Sequence, residues 1–114
     1  MRLFFSFLLS FFSMLAISSN LVFAQEVKVD LDAGEQVFSQ NCIGCHAGGN
    51  NLVNPAKTLS LADLHENEKD SVEAIVYQVT NGAAGMPVFS GRLSEEEILN
   101  VANFVFSQAK NNSW

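Results

Sequence analysis

Positive charge is scarce in this 114-residue chain: six lysines and arginines face twelve aspartates and glutamates, a formal charge of −6. That balance argues against nucleic acid or an anionic membrane as partner, and permits a basic patch on another protein. Thiols and imidazoles are scarcer, with two cysteines and two histidines. A zinc site is poorly served by them, because adjacent Cys45 and His46 would both have to reach one tetrahedral ion. Convincing β alternation is missing throughout, as are internal repeats and linkers, so the chain reads as one small all-α domain.

Both cysteines and one histidine stand together in Cys42-Ile43-Gly44-Cys45-His46. The spacing C-x-x-C-H is the signature of covalent haem attachment. Two thiols about one helical turn apart can each add to a vinyl group of one porphyrin, and the next imidazole then lies beneath the ring, in reach of iron. A thiol-disulfide redox pair, half of a zinc site and a structural disulfide share the C-x-x-C core. The all-α pattern speaks against the redox pair, since a thioredoxin-like dithiol belongs in a βαβ setting.

The first 24 residues read as a cleaved signal peptide, with the domain over 25–114. Met1-Arg2 is a positive start, Leu3 to Ile17 is apolar apart from serines, Ser18-Ser19-Asn20 breaks the run, and Val22-Phe23-Ala24 offers an A-x-A-like cleavage site. The apolar stretch is short for a membrane anchor. Losing Arg2 moves the formal charge from −6 to −7. A domain of this size buries only about 60–65% of its unfolded surface, so a large apolar cofactor would supply missing core. No Arg/Ser-rich transit region precedes the leader, which favours a plastid-encoded or bacterial gene.

Along the mature chain, a first helix is expected from an Asp32 N-cap towards Gln40, with Leu31, Gly34, Val37 and Phe38 on one face. Ala47 to Pro55 is a loop rich in Gly and Asn. Lys57 follows; a solvated lysine is its ordinary reading, and contact with a haem propionate the alternative. Ser60 or Asp63 offers a weak start for a short helix, and His65 to Asp70 reads as a solvated turn; His65 lacks the apolar frame expected of an iron ligand. Ser71 caps a clearer helix with the stripe Val72, Ile75, Val76 and Val79, stopped at Asn81-Gly82. Tyr77 and Gln78 interrupt its apolar run; a glutamine there is usually a surface position, but if this face meets the porphyrin Gln78 sits against the ring and tunes the redox potential. Met86, the only methionine left after the leader, sits in a small-residue segment stiffened by Pro87, which suits a fixed sulfur ligand better than core filler. Ser94 and Glu97 form a capping box for a last helix from Glu95 to Lys110, with Ile98, Val101, Ala102 and Val105 on its buried face.

These residues together carry a resemblance to the cytochrome c6 family over essentially the whole mature chain. It rests on Gly34-Glu35-x-Val37-Phe38, the Cys42 to His46 motif, Ala47-Gly48-Gly49-Asn50-Asn51 and Pro55-x-Lys57-Thr58-Leu59. It continues through Tyr77-Gln78-Val79-x-Asn81-Gly82, Met86-Pro87-x-Phe89, Gly91-Arg92-Leu93 and Trp114. The resemblance implies a class I cytochrome c fold of about four helices around one haem c. Cys42 and Cys45 would hold it covalently, with His46 and Met86 as axial ligands of the iron. It further implies that Gln78 keeps the potential high, that Lys57 lies near the propionates and that Arg92 docks on the oxidant. The Gly34 and Phe38 pair would cross the last helix near Phe104, where many relatives have tyrosine.

By the same resemblance the chain is a soluble one-electron carrier, not an enzyme. It would be a monomer without stable membrane insertion once the signal is removed, moving electrons from the cytochrome b6f complex to photosystem I in the thylakoid lumen. The alternative is a bacterial-type periplasmic cytochrome c feeding a terminal oxidase. The acidic stretch from Asp63 to Glu73 is a candidate for steering the encounter. A haem stain that survives denaturation is the expected outcome for the purified protein; two freely titratable thiols would sink the haem reading.

Overall fold

The computed structural model describes residues 28–114; the expected signal peptide falls outside the described residues. The elements in chain order are α1 (Leu31–Asn41), α2 (Ile43–His46) running into a 3-10 turn (Ala47–Gly49), α3 (Leu61–Glu66), α4 (Val72–Asn81) and α5 (Glu95–Asn111). Among the described residues, extended pairing is limited to the isolated bridges Ala83–Met86 and Ser90–Leu93. The all-α expectation holds, with C-x-x-C-H itself forming a one-turn helix.

Each longer helix starts where a short polar side chain can accept from the third following amide. Ser60, Ser71 and Ser94 take extended backbone angles and cap Asp63, Ala74 and Glu97 respectively, and Glu97 returns a bond to the Ser94 amide at 3.0 Å. Ser60 thus resolves the weak helix start in favour of serine. The first cap is Asp30 rather than Asp32: its side chain accepts from Ala33 N–H at 3.0 Å. Asp30 wins because its own amide donates to Asn100 Oδ1 at 3.0 Å, a contact across 70 residues that no local pattern encodes. Asp32 then lies in the first turn, where a carboxylate favours the positive end of the helix dipole. Leu31 leaves the expected buried face and is 44% exposed.

Helix α5 is the spine. It packs against α1, α4 and α3, and its buried residues Ile98, Val101, Ala102, Val105 and Ala109 recur at the spacing of one helical face. Helix α1 crosses it at Gly34, where backbone meets backbone. A Cβ at position 34 would overlap the Asn100 carbonyl oxygen and reach within 2.9 Å of Phe104 Cβ. Phe38 lies one turn further along, 5.5 Å from the Phe104 ring and 5.4 Å from the Trp114 ring between centroids. The expected crossing near Phe104 is therefore present, and a phenylalanine packs there without a hydroxyl partner. Asn112 ends α5 in the left-handed conformation, with Ser113 N–H donating to Gln108 C=O at 3.0 Å. That turn brings Trp114 back onto Phe38 and Phe104.

Replacing Gly34 with alanine should force the two helices apart and destabilise the fold by about 1–3 kcal/mol or more. Thermal unfolding of the haem-loaded protein reads the loss; an unchanged midpoint would contradict the close crossing.

Candidate haem site

The C-x-x-C-H turn begins as α1 ends. Cys42 N–H closes α1 on Phe38 C=O at 2.8 Å, and His46 N–H returns to Cys42 C=O at 2.9 Å. The motif is thereby rooted in the α1–α5 crossing. Both sulfurs are half-buried and are not joined to each other in a disulfide. Burial pushes the Cys42 thiol up to about 11, opposite to the lowered value that a dithiol oxidoreductase needs in its nucleophile. An apolar seat of that kind suits a neutral thioether.

The imidazole is oriented by the loop that follows. His46 Nδ1 lies 2.8 Å from the Asn50 carbonyl oxygen. A carbonyl can only accept, so Nδ1 carries the proton and Nε2 keeps its lone pair for a metal. Asn50 is held in turn, with its amide on Ala47 C=O at 3.2 Å and Leu52 N–H on Cys45 C=O at 2.9 Å.

Met86 is fixed by a tight turn. Ala83 N–H donates to Met86 C=O at 3.1 Å and Met86 N–H to Ala83 C=O at 3.0 Å. Gly82, which ends α4, lies against the Met86 and Pro87 backbone. Gln78, the residue that interrupts the apolar run of α4, donates through Nε2 to Gly82 C=O at 3.1 Å and to Met86 Sδ at 3.9 Å. It therefore touches the thioether instead of pointing to water. The loop before Met86 also meets the loop after His46, since a Cβ on Gly85 would come within 2.8 Å of Val53 Cγ1. The two halves of the site, 40 residues apart in the chain, are thus in contact.

The donor set fits a haem c: two thiols, an imidazole with Nε2 free, and a thioether held on a stiff loop. The surroundings fit as well. Ile43, Leu52, Val53 and Val88 stand exposed in the segments that bear these donors, and Cys42, Leu59, Val76 and Met86 are only partly covered by the core. Large apolar side chains in such a group suit a flat apolar ligand.

Among similar sequences, 82 residues are 56% identical to a cytochrome c6 of Petalonia fascia, covering 72% of this chain and 96% of that protein. The chain belongs to the cytochrome c6 family. A cytochrome c6 of a Picosynechococcus species is 51% identical over 92 residues, which is 75% of this chain and 79% of that one. The cytochrome c6 structure from the diatom Phaeodactylum tricornutum superposes with a TM-score of 0.72 at 46% identity, covering 75% of this chain and 99% of that chain. Residues 29–105 also match the family described as cytochrome c oxidase, cbb3-type, subunit III. The fold is that of class I cytochromes c. Members of the cytochrome c6 family are c-type cytochromes that carry electrons, with haem iron as the redox centre.

The remaining candidates lie as follows. Lys57 is exposed; its amide donates to Asn54 C=O at 2.9 Å and its carbonyl accepts from Asn51 Nδ2 at 2.9 Å. Arg92 is exposed, with its guanidinium carbon 5.2 Å from the centre of the buried Phe89 ring. His65 is paired with Asp70 at 2.7 Å and its side chain is 81% exposed, so the expected solvated turn is closed by a contact. The pair, and hydrogen bonding above all, raises His65 and lowers Asp70. Sequence reasoning named Asn50 and Trp114 only as parts of the resemblance, without the Asn50 carbonyl's bond to His46 or the indole's bond to Leu59, and it missed the Asn100 anchor altogether.

The acidic stretch is also less uniform than its composition suggests. Asp63 is enclosed by Thr58, whose amide and hydroxyl both donate to Oδ2, and by the Ser60 hydroxyl. These donors lower the carboxyl from its ordinary 3.8, Thr58 first. A lowered folded value means the contribution is complete above pH 3.8 and is lost as pH falls through the lower value. Replacing Asp63 with asparagine should flatten the acid limb of stability against pH below 3.8, measured by denaturant titration; an unaltered limb would contradict the Thr58–Asp63 bonding.

Proposed function

We propose that this chain moves single electrons from the cytochrome b6f complex to photosystem I in the thylakoid lumen, through one covalently attached haem c. The observation that carries this reading is the His46 ring, held by the Asn50 carbonyl at 2.8 Å directly after the two thiols. Cys42 and Cys45 would hold the porphyrin through thioethers, and His46 Nε2 and Met86 Sδ would bind the iron. Bound haem iron supplies a one-electron ferric/ferrous couple set by axial ligands, burial and hydrogen bonding.

The chain's own groups tune that couple. A thioether opposite imidazole favours the ferrous state and raises the potential. Gln78 Nε2–H, 3.9 Å from Met86 Sδ, draws electron density from the sulfur and acts in the same sense. The Asn50 carbonyl keeps the imidazole in the tautomer that leaves Nε2 available. With His46 and Met86 both binding the iron, the bound haem would leave no place for oxygen or for a substrate, which fits a carrier better than an enzyme.

Docking follows from the surface. Arg92, held over Phe89, would be the cation for the oxidant, and the exposed Lys57 would reach a propionate. Asp63, Glu66, Glu68, Asp70 and Glu73 together supply the negative charge for steering; bonding to Thr58 keeps Asp63 ionised, and His65 offsets Asp70 only where it is protonated. Such encounters use interfaces under about 1,200 Å², small enough for quick release. Residues 1–24 serve as the cleaved export signal and 25–114 as the cytochrome domain. Among the described residues, no helix is long and apolar enough to cross a membrane.

The family description naming a cbb3-type oxidase favours a second reading, in which a terminal oxidase is the acceptor. Flash-induced photosystem I oxidation decides between them. The expected result is rapid re-reduction by the ferrous protein, slowing as salt rises through about 0.1 M, where the Debye length is about 10 Å; electron delivery to the oxidase alone would overturn the reading. In redox titrations, Met86→His and Gln78→Val should each lower the potential, Met86→His more. An unchanged potential in Met86→His would mean another sixth ligand.

A further inference from the structure

Trp114 lies far in sequence from every donor of the site, yet it touches the loop that holds the proximal imidazole. Its ring covers Gly49 so closely that a Cβ there would stand 2.5 Å from the indole Cγ. Its indole N–H donates to Leu59 C=O at 3.0 Å, and Leu59 N–H donates to Gly49 C=O at 2.7 Å. Trp114 thus pins both ends of the 49–59 loop, one by contact and one by hydrogen bond. The residue after Gly49 is Asn50, whose carbonyl accepts from His46 Nδ1.

The anchor on the other side is rigid. Trp114 sits on Phe38 at 5.4 Å and meets Phe104 edge-on at 6.2 Å, and these rings belong to the two helices that cross at Gly34. The turn that aims it is itself tied, with Gln108 Nε2 donating to Ser113 C=O at 2.9 Å. Gly49 takes φ +76°, a conformation open to glycine, so the loop backbone can lie flat on the indole.

We propose that Trp114 is a positioning residue for the proximal ligand: by clamping Gly49 and Leu59 it holds the Asn50 carbonyl on His46 Nδ1–H and thereby sets the potential. This rests on His46 as the axial ligand. A carbonyl that holds Nδ1–H makes the imidazole a stronger donor and favours ferric iron. Loosening the clamp weakens that bond, so the potential should rise. This is opposite in sign to the change expected from Met86 or Gln78 substitutions.

The test uses the full haem-loaded protein carrying Trp114→Phe, which keeps an aromatic ring and deletes the N–H donor. A second version places 3-benzothienylalanine at position 114, an isostere lacking only that donor. In each, hydrogen exchange at His46 Nδ1–H is followed by magnetic resonance beside a redox titration. The expected result is exchange about fivefold faster, the factor that corresponds to about 1 kcal/mol for one net hydrogen bond, together with a potential above that of the unsubstituted protein. Faster exchange at the Leu59 amide with His46 exchange and potential unaltered would overturn the proposal, as would loss of covalent haem in both versions. A failure of the ligand reading is distinguishable, because the unsubstituted protein would then show no histidine-ligated haem.

Discussion

The backbone-to-backbone crossing of α1 and α5 at Gly34 and Asn100 is the constraint on which the rest depends. It requires glycine on one helix, because any side chain would meet the Asn100 carbonyl. The same asparagine reaches out through Oδ1 to the Asp30 amide, so one buried residue sets both the crossing and the start of α1. Phe38 and Phe104 then pack at a tilt beside the crossing, and α1 ends by handing Cys42 to the haem turn. The chain covers its core with few residues, and its main tertiary contact also orients its site.

From that crossing the proximal half of the site is built outward through hydrogen bonds. Phe38 C=O accepts from Cys42, Cys42 C=O from His46, and Asn50 C=O from the imidazole. Trp114 closes the circuit by returning from the end of α5 to the same loop. The distal half is built differently, from a stiff turn between Gly82 and Pro87 and one amide contact from Gln78 to the Met86 sulfur. One half draws its order from helix packing and the other from local loop geometry. They meet where Gly85 lies against Val53.

Charge shows the same division between composition and arrangement. Five acids between Asp63 and Glu73 look equivalent as a string, but Asp63 stabilises the loop after Lys57 and Asp70 pairs with His65. Bonding to Thr58 leaves Asp63 ionised and its charge in place, so the arrangement changes what each acid touches more than the charge it carries, and a field from exposed charges fades within a Debye length.

The sequence by itself determined the outline of the fold and named the donors proposed for the site. Cys42, Cys45, His46 and Met86 are recognisable because thioether and imidazole donors need specific residue types, and the serine caps and the α5 stripe are legible because capping and helical periodicity act over three or four residues. Gln78 was legible as an interruption of the α4 stripe, though not as a neighbour of the Met86 sulfur. What only the tertiary structure decided depends on residues far apart in the chain. Asp30 displaced Asp32 as the first cap because Asn100 lies 70 residues away, and Leu31 turned outward with that shift. Trp114 gained a role because its indole finds a carbonyl 55 residues upstream. Such pairings have no period and no fixed spacing; they exist only once the helices cross, and a string of residues does not specify which carbonyl will be left facing which donor.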